Sequence, residues 1–175
     1  MIEVELLVRL KIPDVTALTA ANSLRRRMGY ADSLERLRRA DYYRLGLNAG
    51  TSEEALALAR ELAENTNLFV NPNKHAYQVR LPDAAAPASA GPVHEVEVLI
   101  TDPNDGSAQG ALAALRGRLG FGNQVASLTK GVLWLMDLRA ADHGAAKQLA
   151  EQIAVTRRID EGLLMNPHFQ ECTVR

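Results

Sequence analysis

The sequence predicts an α+β protein of two βαββαβ units, each a two-layer arrangement of an antiparallel sheet with both helices on one face. The first observation behind this is a repeat: Ile2-Glu3-Val4-Glu5-Leu6-Leu7-Val8 returns as His94-Glu95-Val96-Glu97-Val98-Leu99-Ile100. The second is the stretch between the copies, Pro82 to Pro92, whose prolines, alanines and glycine offer neither a ladder of donors nor a side chain large enough to anchor a core. The third is that apolar periods of two and of three to four alternate in the same order on both sides. These place a first repeat at residues 1–81, a linker at 82–92 and a second repeat at 93–175. Two copies of about 80 residues each have thin cores alone, so they are expected to pack together as an intramolecular pseudo-dimer.

In the first copy, Glu3, Glu5 and Arg9 alternate with Val4, Leu6, Val8 and Leu10, the pattern of a strand with one wet face. Pro13 ends it and Asp14 can cap a helix in which Ala17, Ala21, Leu24 and Met28 recur at helical spacing, with Gly29 as its stop. Leu34 to Leu37 and Tyr42 to Leu47 read as two short strands joined by a tight turn near Ala40-Asp41. Thr51 or Ser52 can cap a second helix, since Glu54 stands three residues beyond Thr51 and the apolar set Ala55, Leu58, Ala59 and Leu62 follows. Asn71-Pro72-Asn73 is a turn, and His75 to Leu81 closes the unit as a strand.

The second copy follows the same order with different turn chemistry. Asp102 to Gly106 makes the strand-to-helix loop, and Ala108, Ala111, Leu112, Leu115 and Leu119 form an apolar helix face. Val132 to Leu138 is the most apolar strand and carries the single tryptophan, Trp134, so it is expected to be central and buried. Leu24 to Tyr30 answers Leu115 to Phe121, and Ala59, Leu62 and Ala63 fall opposite Ala150, Ile153 and Ala154. The second copy gains about four residues near Val155 to Glu161, after which Asn71-Pro72 meets Asn166-Pro167 and Val79-Arg80 meets Val174-Arg175. Gly29, Gly120, Asn71, Pro72, Asn166 and Pro167 are therefore read as structural turn positions.

Composition is that of an ordinary soluble protein, with 47% hydrophobic and 23% charged residues. The N-terminus runs straight into a strand pattern without a signal peptide's basic start, and no apolar run approaches a membrane span, so a cytoplasmic location is expected. The net charge of −1 argues against a general nucleic-acid binder. Arginines nevertheless gather between residues 25 and 44, which reads either as a solvated basic face or as a docking face for an acidic partner or a phosphate; of these Arg36, Arg38 and Arg39, with Lys130 of the second copy, are the candidates for contact.

No catalytic constellation, metal site or cofactor motif stands out. His75, His94, His143 and His168 lack the spacing of a metal site, and the glycines of Gly117 to Gly122 lie at the wrong end of a helix to cradle a phosphate. Cys172 has no intramolecular partner for a disulfide and reads as an inert, buried thiol. The pairs Glu3 with Glu5 and Glu95 with Glu97 read as solvated charges on the outer faces of their strands.

Each copy resembles PurS, the small subunit of the multi-subunit formylglycinamidine ribonucleotide amidotransferase of purine synthesis. The features are Val4-Glu5-Leu6 and Val96-Glu97-Val98, Met28-Gly29-Tyr30 and Leu119-Gly120-Phe121, and Asn71-Pro72 and Asn166-Pro167, in shared order and spacing. The resemblance implies a non-catalytic subunit, without a cofactor, that holds a PurQ-like glutaminase and a PurL-like synthetase together within an ATP- and glutamine-dependent ligase. It also implies dimers or dimers of dimers, so that a tandem chain would be a dimer in one chain, able to pair again into a pseudo-tetramer. The competing expectation is a stand-alone duplicated regulatory module, similar in element order to ACT domains, that binds a small molecule between its copies near Asp102 to Gly106.

Overall fold

The computed structural model describes residues 1–82, 91–155 and 162–175. The ten elements run β1 (Ile2–Leu10), α1 (Val15–Arg27), β2 (Leu34–Leu47), α2 (Ser52–Asn65), β3 (His75–Arg80), β4 (Val93–Thr101), α3 (Gly106–Arg116), β5 (Val125–Arg139), α4 (His143–Ala154) and β6 (Glu171–Val174). The strands form a six-stranded sheet in the order β3-β1-β2-β5-β4-β6, and β1 pairs antiparallel with β2 and β3, as β4 does with β6. The fold is therefore α+β, with the expected repeated layout. Most of the expected linker, residues 83–90, and most of the expected insertion, residues 156–161, lie outside the described residues.

One element departs from the sequence reading. The two short strands foreseen around Ala40-Asp41 are a single strand, β2, and β5 is likewise continuous through Gly131 and Val132. Ala40 is buried and Asp41 pairs with Val8 in the β1 ladder, so the chain runs straight on.

The chain divides into two compact units, and each takes pieces from both sequence halves. The first comprises Met1–Ile12, Ala40–Ala85 and Asn104–Gly131; the second comprises Pro13–Arg39, Ala86–Pro103 and Val132–Arg175. Long strands β2 and β5 are divided between them, at Arg39 and at Gly131.

In the first unit, α2 and α3 cover one sheet face. Val4, Leu6 and Val8 of β1 and Leu45 and Leu47 of β2 meet Ala55, Ala59 and Leu62 of α2 and Leu115 of α3. The capping box at Thr51 is formed, with the Glu54 amide donating to Thr51 Oγ1 and Glu54 Oε2 accepting from the Thr51 amide. In the second unit, α1 and α4 do the same. Ala17, Ala21 and Leu24 of α1 and Ala146, Ala150 and Ile153 of α4 pack with Val96, Val98, Ile100, Trp134, Met136 and Leu138.

The opposite face of each unit's sheet is buried along part of its length. Leu7, Ala40 and Tyr42 in the first unit and Leu99, Leu133 and Leu135 in the second are buried, although pleat alternation turns them away from the helix-side clusters.

Local bonds recur between the halves at matching positions. Arg25 donates to the carbonyls of Leu34 and Glu35, and Arg116 donates to those of Val125 and Ala126. Tyr30 N bonds Leu24 O at 3.2 Å after Gly29, and Phe121 N bonds Leu115 O at 2.9 Å after Gly120, both glycines standing at φ +80°. Asn71 Oδ1 accepts from Asn73 N and Asn166 Oδ1 from His168 N, two Asx turns ahead of the prolines' following strands.

Candidate functional site

The four basic candidates fall into two groups. Arg38, Arg39 and Lys130 are engaged with side chains of their own unit, whereas Arg36 is exposed. Arg38 sits between two carboxylates, in contact with Glu95 and at 2.9 Å from Asp137. Desolvation by itself would lower its pKa, but Glu95 and Asp137 outweigh that and raise it, so the guanidinium is held charged.

Arg39 reaches Asp14, the N-cap of α1, at 3.5 Å. Lys130, at the matching position of β5, donates to Ser107 Oγ at 3.1 Å beside Asp105, the N-cap of α3. Bonds from the Ser107 hydroxyl and amide hold the Asp105 carboxyl below its ordinary range, and the Lys130 charge adds to this. Both basic side chains thus steady an acidic cap at a helix N-terminus, where negative charge is already favoured.

The sequence reading of Glu5 and Glu97 as solvated charges is overturned. Glu5 is fully buried and Glu97 nearly so, while Glu3 and Glu95 of the same pairs stay partly exposed. The reason is a set of donors on neighbouring strands. Tyr42 donates its hydroxyl to Glu5 Oε1 at 2.9 Å, Arg80 Nε donates to Glu5 Oε2 at 2.8 Å, and Arg44 Nε donates to the Tyr42 oxygen at 3.0 Å. Arg44 lies 3.8 Å from Glu3 as well.

Glu97 has Arg175 at 3.7 Å, the counterpart of Arg80, but where the first half carries Tyr42 and Arg44 the second has Leu133 and Leu135. A signal for this pairing was present in the sequence. Val79-Arg80 and Val174-Arg175 end both halves with an arginine, and a buried strand carboxylate requires such a partner.

The first unit also holds an open groove of about 360 Å³ at the start of β3. It is lined by Lys11, Ala63, Glu64, Val70, Pro72, His75, Ala76 and Tyr77. Lys11 Nζ donates to Pro72 O at 2.6 Å, and His75 Nδ1 accepts from the Asn71 amide at 3.1 Å, which leaves any proton of a neutral ring on Nε2. Tyr77 donates its hydroxyl to Glu64, and that bond, followed by burial, raises its pKa against the opposing charge of Arg60.

Cys172 is half-buried, and burial first, then the charge of Glu151, raises its thiol pKa, so the nucleophilic thiolate is disfavoured. Among the described residues no three His, Cys, Asp or Glu side chains are grouped to hold a metal ion, and no helix is long and apolar enough to cross a membrane.

No curated protein matches the chain. A family model does: the one described as PurS, Phosphoribosylformylglycinamidine (FGAM) synthase, matches residues 2–83. That span takes in β1, α1, β2, α2 and β3, together with the buried Glu5 and its donors Tyr42 and Arg80. Residues 2–83 of this chain are thus similar to the PurS family.

Proposed function

We propose that this chain is a non-catalytic subunit of a phosphoribosylformylglycinamidine synthase assembly, bridging its glutaminase and its synthetase. The observation that carries the reading is the family match over residues 2–83. The chain is read as two PurS-like copies, 1–81 and 93–175. The bonds made alike by Arg25 and Arg116 and the left-handed Gly29 and Gly120 support that reading.

A bridge needs two dissimilar faces, and the copies have diverged in charge: 12 basic against 10 acidic residues at 1–81, and 8 against 10 at 93–175. Of the basic candidates, Arg36 is the one available for docking, because Arg38 and Arg39 already pair with carboxylates of this chain and Lys130 donates to the Ser107 hydroxyl. The ligand-binding alternative carries less weight. The loop it relies on is occupied by its own side chains, with Asp105 accepting from the Ser107 amide at 2.8 Å.

The test is purification of the full chain from its native extract with glutamine present. Recovery of both a synthetase and a glutaminase subunit, reduced by Arg36→Glu in a variant of unchanged melting temperature, supports the scaffold. A chain that elutes with neither subunit overturns it.

A further inference from the structure

β3 ends the strand order, so one of its edges faces no strand among the described residues. Which groups that edge offers follows from the ladder. Lys11 N bonds Lys74 O at 2.9 Å, which makes that pair a hydrogen-bonded one, and Arg9↔Ala76, Leu7↔Gln78 and Glu5↔Arg80 follow at steps of two. In an antiparallel pair the residues between are turned the other way. Tyr77 and Val79 therefore direct their N–H and C=O groups outward, a template for one more strand.

The surroundings of this edge are basic. Lys11 and Lys74 are exposed at its start and Arg60 acts on Tyr77 from α2, while the nearby Glu64 is taken by the Tyr77 hydroxyl. The groove of about 360 Å³, with Ala63, Val70 and Pro72 among its walls, gives room for an apolar side chain beside the edge. The corresponding edge of the second unit, β6, has the opposite character. Glu97 and Arg175 exchange both backbone bonds, at 3.1 and 2.8 Å, so Cys172 and Val174 face outward there. Their neighbours are Glu171 and, acting on Cys172, Glu151, which stands where the first half has Arg60.

We propose that the outer edge of β3 docks an extended, acidic segment of a partner subunit as an added strand, with an apolar side chain of that segment seated in the adjoining groove. This rests on the proposed assembly and adds the place and chemistry of one contact. Like charge would turn the same segment away from β6.

The assembly reconstituted from the full chain with its synthetase and glutaminase subunits provides the test. Amide exchange at Tyr77 and Val79 is expected to slow on assembly. Val79→Pro removes an outward donor and leaves the β1 ladder intact, so it is expected to weaken the complex about tenfold or more. Lys11→Glu is expected to weaken it in a salt-dependent way, and Val174→Pro to leave it unchanged. A complex that forms with Tyr77 and Val79 exchanging freely, and that Val79→Pro does not weaken, overturns this contact while the scaffold stands. Self-association of the chain alone that depends on Val79 overturns it too, by giving the edge to a second copy. If no complex forms at all, the scaffold and the contact fall together.

Discussion

Glu5 is accommodated in the interior because Tyr42 and Arg80 each give one of its oxygens a donor, and Arg44 in turn fixes the tyrosine. Removing one of these donors exposes the cost of burying a carboxylate without full compensation. Tyr42→Phe is expected to lower unfolding free energy by about 1–3 kcal/mol, read as a shift in the urea midpoint at unchanged slope. The pH dependence follows from the same residue. Burial raises the Tyr42 hydroxyl above its ordinary 10.0, with the Arg44 bond opposing and Glu5 adding to the rise. Burial likewise raises the Cys172 thiol above 9.0. Both folded-state values exceed the unfolded ones, so the unfolded chain releases these protons first. Their stabilisation is complete below about pH 9 and is lost as pH rises through the raised values. Chemical denaturation at a series of alkaline pH values checks this, and the Tyr42→Phe curve is expected to be flatter above about pH 10.

Among the elements, helix ends are where sequence and structure agree most closely. Gly29 and Gly120 stand at φ +80°, which a side chain resists, so Gly29→Ala and Gly120→Ala are each expected to cost about 1 kcal/mol in thermal unfolding, with no neighbouring atom to crowd the added methyl. Asp14, Thr51, Asp105 and Asp142 cap α1, α2, α3 and α4 with bonds to the first-turn amides. Of these, Asp14 and Thr51 were legible from their positions ahead of apolar runs. Such signals are local, carried by residues within a turn of one another. Two features that depend on distant partners were not legible. Alternation in β1 put Glu5 on a wet face, because a period of two distinguishes the two faces of a strand but does not say whether the second is covered. The continuity of β2 escapes the sequence for a similar cause: the change in apolar pattern near Ala40, which resembles a turn, falls where the strand passes from one compact unit to the other. The basic cluster was visible as a cluster, yet only the packed chain shows that Arg38 and Arg39 are already engaged and Arg36 is not.

At the scale of the whole molecule, each compact unit is assembled from both sequence halves. The first needs α3 and the opening of β5, and its core includes Leu115 and Val125. Residues 1–81 alone lack these, so that fragment is expected to behave as a dimer, one copy supplying what the other is missing, with light scattering giving twice the fragment mass. A monomeric, well-folded fragment would show that the missing pieces are dispensable. The same sharing implies cooperative melting, with calorimetric and van't Hoff enthalpies that agree for the full chain.

The passage of β2 from one unit to the other also bears on how the gene could be cut. Fragments 1–81 and 93–175, made as separate polypeptides in one cell, should find each other and rebuild both units, since each contains what the other lacks. The chain would then serve as a split reporter whose signal reads the meeting of its halves.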